Sequence, residues 1–344
     1  MTRYILQRLL QGIPLLFIIS IILFVLMMSM GDPVATMGGR RVTRASDYER
    51  LRRQLGLDKP IHTQYLYWLI GNDWAKVDLD GDGVAETIGV RHGVLRGDFG
   101  TSLVNRKPVM EVISERLPNT LILMLAAEGF IILGSLLIGT YSALRQYSIL
   151  DHLTTTLLFI GYSMPIFFIA LISMYLFAVL FKRWGLPYLP TVGMFDPQVG
   201  KTTNQVMLHM ILPVLSMSIV SFAAYSRYIR STMLEVMSQD YIRTAKSKGL
   251  PRREVIFIHA LKNASLPIVT VVGLDLPLLL GGAVVTERIF AWPGMGRLFL
   301  DHVSRLDMPV VMGILILIAV AVVVFQIITD IVYAWLDPRI RYDT

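Results

Sequence analysis

Three acids sit inside apolar runs of this sequence: Glu128, Asp275 and Asp330. A carboxylate among hydrocarbon is costly, so such a group pairs, holds a proton or lines a wet path. Glu128 is compatible with binding an amine, but protonation or a hydrogen bond between helices is the preferred reading. Asp275 lies near the middle of its run and is followed by Pro277, Gly281 and Gly282, which suit a bent helix beside a pathway. A helix-packing role stands level with that one. Asp330 lies close to the end of its run, where solvent, Arg339 or Arg341 can satisfy it.

Other constellations are weaker. Asp78, Asp80, Asp82 and Gly83 match the first, third, fifth and sixth positions of a calcium loop, with Glu86 as an extra candidate ligand, yet position twelve falls on Gly89 where a bidentate glutamate is required. Asp-Gly repeats are also ordinary turn chemistry, the preferred reading. Gly200-Lys201-Thr202 imitates the end of a phosphate-binding loop, but Phe195 stands where its first glycine belongs, so no nucleotide site is expected in this chain. The histidines His62, His92, His152, His209, His259 and His302 have no metal-binding spacing, which argues against an intramembrane metalloprotease. With no cysteine there is neither a disulfide nor a thiolate metal site.

The elements that must hold these residues follow from composition. Of 344 residues, 54% are hydrophobic and only 17% charged, the profile of a polytopic membrane protein. The net charge of +7 clusters at the edges of apolar runs, so nucleic acid is excluded as a partner. Residues 9–30 span about 22 positions or ~33 Å of helix, enough to cross a bilayer and too long for a cleaved leader. Further spans are expected at 119–141, 153–181, 206–225, 264–286 and 308–336. The third is expected to be broken inside the membrane by Pro165, with Tyr162 and Ser163 beside the break as candidate pathway residues. The expected fold class is an all-α polytopic membrane protein with six transmembrane helices and both termini cytoplasmic. Its first span covers 1–31, an external domain 32–118, and a five-helix core 119–344. Within the external domain, Ser46 and Glu49 predict a capping box, Gly56 a helix stop, and residues 61–70 an amphipathic helix.

Between the fourth and fifth spans lies a basic loop, 227–263. Arg227, Arg230, Arg243, Lys246, Lys248, Arg252, Arg253 and Lys262 outnumber Glu235, Asp240 and Glu254, which places the loop in the cytoplasm. Tyr241 to Lys248 can make a short helix; Gly249 can end it left-handed, and Pro251 prevents its continuation.

The order Arg243-Thr244-Ala245, then Gly249-Leu250, then Leu266-Pro267 resembles the signature of ABC importer permeases in its dipeptide, oligopeptide and nickel branch. Gly31-Asp32-Pro33, Gly97 to Ser102, Gly161 to Pro165, Trp292-Pro293-Gly294 and Asp337-Pro338-Arg339 extend the resemblance over nearly the whole chain. It implies the first permease of a pair, in a bacterial or archaeal inner membrane within the lipid bilayer. The implied partners are a homologous second permease, two ATPases carrying ATP and magnesium, and an external substrate-binding protein. It also implies coupling to the ATPases through Tyr241, Arg243, Thr244, Ala245, Lys248, Gly249 and Leu250. The chain itself would be no enzyme and would bind no cofactor beyond the candidate calcium. Di- or oligopeptides are the expected solutes, with nickel complexes and oligosaccharides as alternatives. An ion-coupled transporter working without ATPases is the remote rival.

Overall fold

The computed structural model describes residues 2–29, 45–79, 82, 84–280 and 284–336, and nearly every named element is a helix. α1 (Thr2–Ser29) contains the apolar stretch Leu6–Ser29. Gly31-Asp32-Pro33, expected to close it, lies outside the described residues, as does Asp337-Pro338-Arg339. α2 (Ala45–Gln54) includes Ser46, and the side chain expected to form the capping box lies outside the described residues. Its stop is as expected: Gly56 takes φ +72° and donates to Arg53 O while Leu57 donates to Arg52 O. α3 (Ile61–Ile70) follows. β1 (Lys76–Val77) and β2 (Thr87–Ile88) pair antiparallel, a small departure from the all-helical expectation.

α4 (Val109–Leu144) starts well before the apolar run at 119 that was expected to begin it. Pro108 O accepts the N–H groups of Glu111 and Val112, and Lys107 bonds Glu111 and Glu115 at 2.7 and 3.0 Å across the first turns. Polar residues thus extend the helix beyond its hydrocarbon portion. α5 (Ile149–Ser163) is capped by the Ser148 hydroxyl, which accepts the Asp151 N–H at 3.1 Å. α6 (Ile166–Arg183) includes a π turn at Tyr175–Leu180 and is long enough to span a membrane alone. The break expected at Gly161–Pro165 is present at Met164–Pro165, and the stretch long enough to cross is Ile166–Arg183 rather than the whole of 153–181. Pro165, at φ −61° and ψ 139°, stands just before the first turn of α6, where no N–H is needed, so no carbonyl is freed within a span.

α7 (Thr203–Met237) is capped by Thr202, whose hydroxyl accepts the Gln205 N–H at 3.3 Å. It passes Tyr225, the expected end of the fourth span, without interruption. Hydropathy marks where hydrocarbon contact ends, but arginine, methionine, leucine and glutamate all sustain a helix. α8 (Asp240–Ser247), α9 (Arg252–Ala264, with a π turn at Val255–Leu261) and α10 (Leu266–Leu280) come next. The fifth span, expected at 264–286 with its bend near Pro277, is instead a pair of helices bent by 45° at Ser265. Pro267 cannot donate to the preceding turn, which explains the break. α10 continues through Asp275 and Pro277, and Gly281 and Gly282 lie outside the described residues. α11 (Val284–Ile289), α12 (Met295–Val303) and α13 (Met308–Leu336) complete the chain, the last with the expected ends. Among the described residues, α1, α4, α6, α7 and α13 can each cross a membrane by length and composition, and the bent pair, counted as one span, brings the number to six. The protein is an all-α polytopic membrane protein.

The chain divides into two compact units. One comprises Leu6–Pro118 and Leu298–Ala321, with Phe24, Met27, Trp68, Met308 and Met312 packed at its centre. There the fully buried Asp307 accepts the Ser102 hydroxyl at 2.5 Å and the N–H groups of Leu103 and Val104 at 3.0 and 3.2 Å. The other comprises Met1–Ile5, Asn119–Arg297 and Val322–Thr344. Its largest apolar cluster runs through Ile131, Tyr225, Ile229, Met233, Ile242, Ala245, Val255, Ile256, Ala260, Ala264 and Ile268.

Candidate functional site

α8 is short and amphipathic. Ile242 and Ala245 are buried in the apolar cluster, whereas Tyr241, Arg243, Thr244, Lys246 and Lys248 are exposed. The helix ends in a double turn: Gly249 at φ +75° donates to Lys246 O, and Leu250 donates to Ala245 O and packs on the cluster. An added Cβ at Gly249 meets nothing within 4 Å, so glycine is needed for its backbone angle alone. Of the residues expected to couple to a partner, Ala245 and Leu250 therefore anchor the helix, and Tyr241, Arg243, Thr244, Lys248 and Gly249 form its outward face. The loop is pinned at its base by Thr232 of α7, whose hydroxyl donates to Ala264 O at 2.9 Å. Nearby, Arg230 of α7 reaches the buried Asp151 at 3.3 Å. Burial works to raise that carboxyl, but the Tyr147 N–H, the Ser142 hydroxyl and the Arg230 guanidinium outweigh it and hold it below the ordinary range.

The acids expected to act separately are brought together. The Tyr225 hydroxyl on α7 lies 2.9 Å from Oε1 of Glu128 on α4 and 2.7 Å from Oδ2 of Asp275 on α10. Glu128 is 4% exposed and Tyr225 3%, while Asp275 is half-buried. Among the described residues neither carboxyl meets a lysine or arginine. Tyr225 was missed as a site residue because its partners lie 97 and 50 positions away, and it passes for a boundary residue. Its position inside an apolar run was the available signal. Tyr162 and Ser163 do not join this group. They stand exposed at the end of α5, the Ser163 hydroxyl donating to Phe159 O at 2.8 Å.

Asp330 is buried at 8% exposure rather than solvated, and Arg339 and Arg341 lie outside the described residues. Asp78, Asp82 and Glu86 fall on the connection between β1 and β2, with Asp80 and Gly83 outside the described residues. There Asp82 Oδ1 accepts the Val84 N–H at 2.8 Å, a turn contact. No three His, Asp or Glu residues among those described gather as a ligand set.

A second buried carboxylate was not singled out from the sequence. Glu287, fully buried on α11, accepts the Thr120 hydroxyl at 2.8 Å on Oε1 and the Arg297 N–H at 3.0 Å on Oε2. Thr120 also accepts the Met295 N–H at 2.7 Å, the Trp292 indole donates to Asn119 O at 3.0 Å, and the Asn119 amide donates to Pro293 O at 2.9 Å. The Trp-Pro-Gly segment is thereby tied to α4.

The family described as "Binding-protein-dependent transport system inner membrane component" matches residues 135–342, and its N-terminal companion matches residues 1–124. The chain belongs to this family. Over 344 residues the permease is 40% identical to the oligopeptide transport system permease protein AppB of Bacillus subtilis, covering 99% of this chain and all of that one. It is 36% identical to the dipeptide transport system permease protein DppB of Escherichia coli, covering 99% of both chains. It is 35% identical to the glutathione transport system permease protein GsiC of Salmonella typhimurium, covering 99% of this chain and 100% of that one. A solved amino acid ABC transporter aligns with 67% of the permease and 95% of its own chain, at a TM-score of 0.45 and 14% identity.

Proposed function

We propose that the permease is one of two membrane subunits of an ATP-driven importer for short peptides. It works with a homologous second permease, two ATPases that bind ATP and magnesium, and an external binding protein. It sits in the bacterial or archaeal inner membrane with both termini and α8 in the cytoplasm, and residues 32–118 lie outside. The observation that carries this reading is α8. Its outward face of Tyr241, Arg243, Thr244 and Lys248 is free for a partner, while Ile242 and Ala245 lock it to the spans. ATP draws the ATPases together, α8 moves with them, and the cluster passes the displacement to α7, α9 and α10, which opens the path to alternate sides. The peptide solute is supported by the relatives named for oligopeptide, dipeptide and glutathione transport. The test is uptake of a labelled dipeptide by vesicles containing the full complex. Uptake that requires ATP, and that fails in Gly249→Val while the ATPases still hydrolyse or bind poorly, supports the reading. Flux through the permease alone, unaffected by that substitution, overturns it.

A further inference from the structure

The Tyr225 hydroxyl has one hydrogen and two carboxyl neighbours, Glu128 at 2.9 Å and Asp275 at 2.7 Å. It can donate to only one of them. The other contact becomes a hydrogen bond only if that carboxyl keeps its own proton and donates it to the phenol oxygen. Two ionised carboxylates around one phenol, inside apolar helices with no cation beside them among the described residues, would repel each other without compensation. Three groups on three helices therefore hold one extra proton and one net negative charge.

The same geometry leaves the site unfinished on one side. Oε2 of Glu128 and Oδ1 of Asp275 have no hydrogen-bond partner among the described residues. Asp275 is the half-buried, approachable member. The other acid in this unit's apolar helices, Asp330, lies on α13, where its neighbour Thr329 packs against Gly273 of α10. Arg227, two residues beyond Tyr225 on α7, lines a separate cleft with Asp151 and Arg230.

We propose that Glu128, Tyr225 and Asp275 form a one-proton, singly negative site that receives a primary ammonium group, the amino terminus or a lysine side chain of a transported peptide. A primary ammonium offers three N–H donors and one positive charge, which matches two free carboxyl oxygens and one net negative charge. The retained proton is what limits the site to a single charge. A quaternary ammonium has the charge without the donors and does not satisfy the oxygens. This deepens the reading of the permease as a peptide importer and rests on it.

The test is infrared difference spectroscopy on the purified full complex, without its binding protein, titrated with methylammonium chloride and, separately, tetramethylammonium chloride. The wild type should show the carbonyl stretch of a protonated carboxylic acid that is absent from both Glu128→Gln and Asp275→Asn. Methylammonium should shift that band and tetramethylammonium should not. Tyr225→Phe, which keeps the ring and its packing, should alter the band in an intact complex, so the site can be examined even if either acid variant assembles poorly. In vesicles, Asp275→Asn should lower ATP-driven dipeptide uptake about tenfold, the cost of one charge-assisted hydrogen bond. An acid band unchanged in all three variants, or one indifferent to methylammonium, overturns the site. If ATP-driven dipeptide uptake persists alongside that result, the importer reading stands without it; if uptake is absent in the wild type, the importer reading itself fails.

Discussion

Glu287 and the pair Glu128 with Asp275 are all carboxyls held within the same unit of the fold, and they are held in opposite ways. Glu287 has both oxygens engaged, by a hydroxyl and a backbone N–H, and no exposed surface. Each member of the pair has one oxygen on a shared phenol and one left over. A carboxyl whose bonds are all filled can only fasten; one with an oxygen to spare can also receive. The difference also bears on rigidity. Glu287 fastens the turn that ends at Arg297 to Thr120 of α4, whereas Tyr225 joins three separate helices, α4, α7 and α10.

Substitutions can break that comparison. Glu287→Ala strands the Thr120 hydroxyl and the Arg297 N–H in a buried place and should cost about 3 kcal/mol of stability, the largest effect here. Thermal melting of the detergent-solubilised complex will show it. Gly294→Ala strikes the same knot from outside, because its new Cβ would overlap Glu287 Oε1 and Thr120 Oγ1. A loss of roughly 1–3 kcal/mol is expected from such overpacking. If the acids of the spans serve a ligand more than the fold, Glu128→Gln should cost under ~1 kcal/mol in the same melt. A loss as large as that of Glu287→Ala would erase the distinction.

Gly249→Val is a third kind of change, with backbone strain and no clash. It should destabilise the α8 cap by about 1–2 kcal/mol. Limited proteolysis near Gly249 is the sensitive readout, since local fraying precedes global melting.

The smallest effect sharpens the contrast with a partly exposed carboxylate. Asp73 is held well below its usual range chiefly by the Arg96 guanidinium, which outweighs desolvation with help from His92. A carboxyl whose native pKa is depressed stabilises the fold above its unfolded value of 3.8, and that contribution fades as pH falls below it. Solvent screens this pair, so the change is slight. Arg96→Ala should lower the melting temperature slightly at neutral pH and converge with the wild type as pH falls below 4; a difference that grows instead as pH falls below 4 would contradict it.

Much of the fold was legible because hydrocarbon runs report burial in lipid directly. α3 and α13 have the ends their patterns predict, and Gly249 caps α8 as its left-handed tolerance requires. Apolar runs misplace helix ends where polar residues continue the backbone ladder, as at Val109 and beyond Tyr225. Proline was misjudged for a related reason. It signals a break but not its exact place: the break at Gly161–Pro165 separates two helices with Pro165 just before the second, and the bend of the fifth span fell at Ser265, not near Pro277. The two acids were visible as costly residues, yet the tyrosine that joins them was not, since residues distant in sequence meet only through packing. Glu287 escaped notice because a glutamate at the edge of an apolar run reads as solvated.

The apolar cluster has one more consequence. Tyr225 of the acidic site and Ile242 and Ala245 of α8 belong to the same contiguous set of packed side chains. Residues that share neighbours in this way do not contribute independently, and their double-mutant cycles depart from the sum of single changes. A substitution at Ile242 and one at Tyr225 should thus be non-additive in uptake. A change on the buried side of α8, at Ile242 or Ala245, must therefore be matched around the phenol, so the two places are constrained to change together.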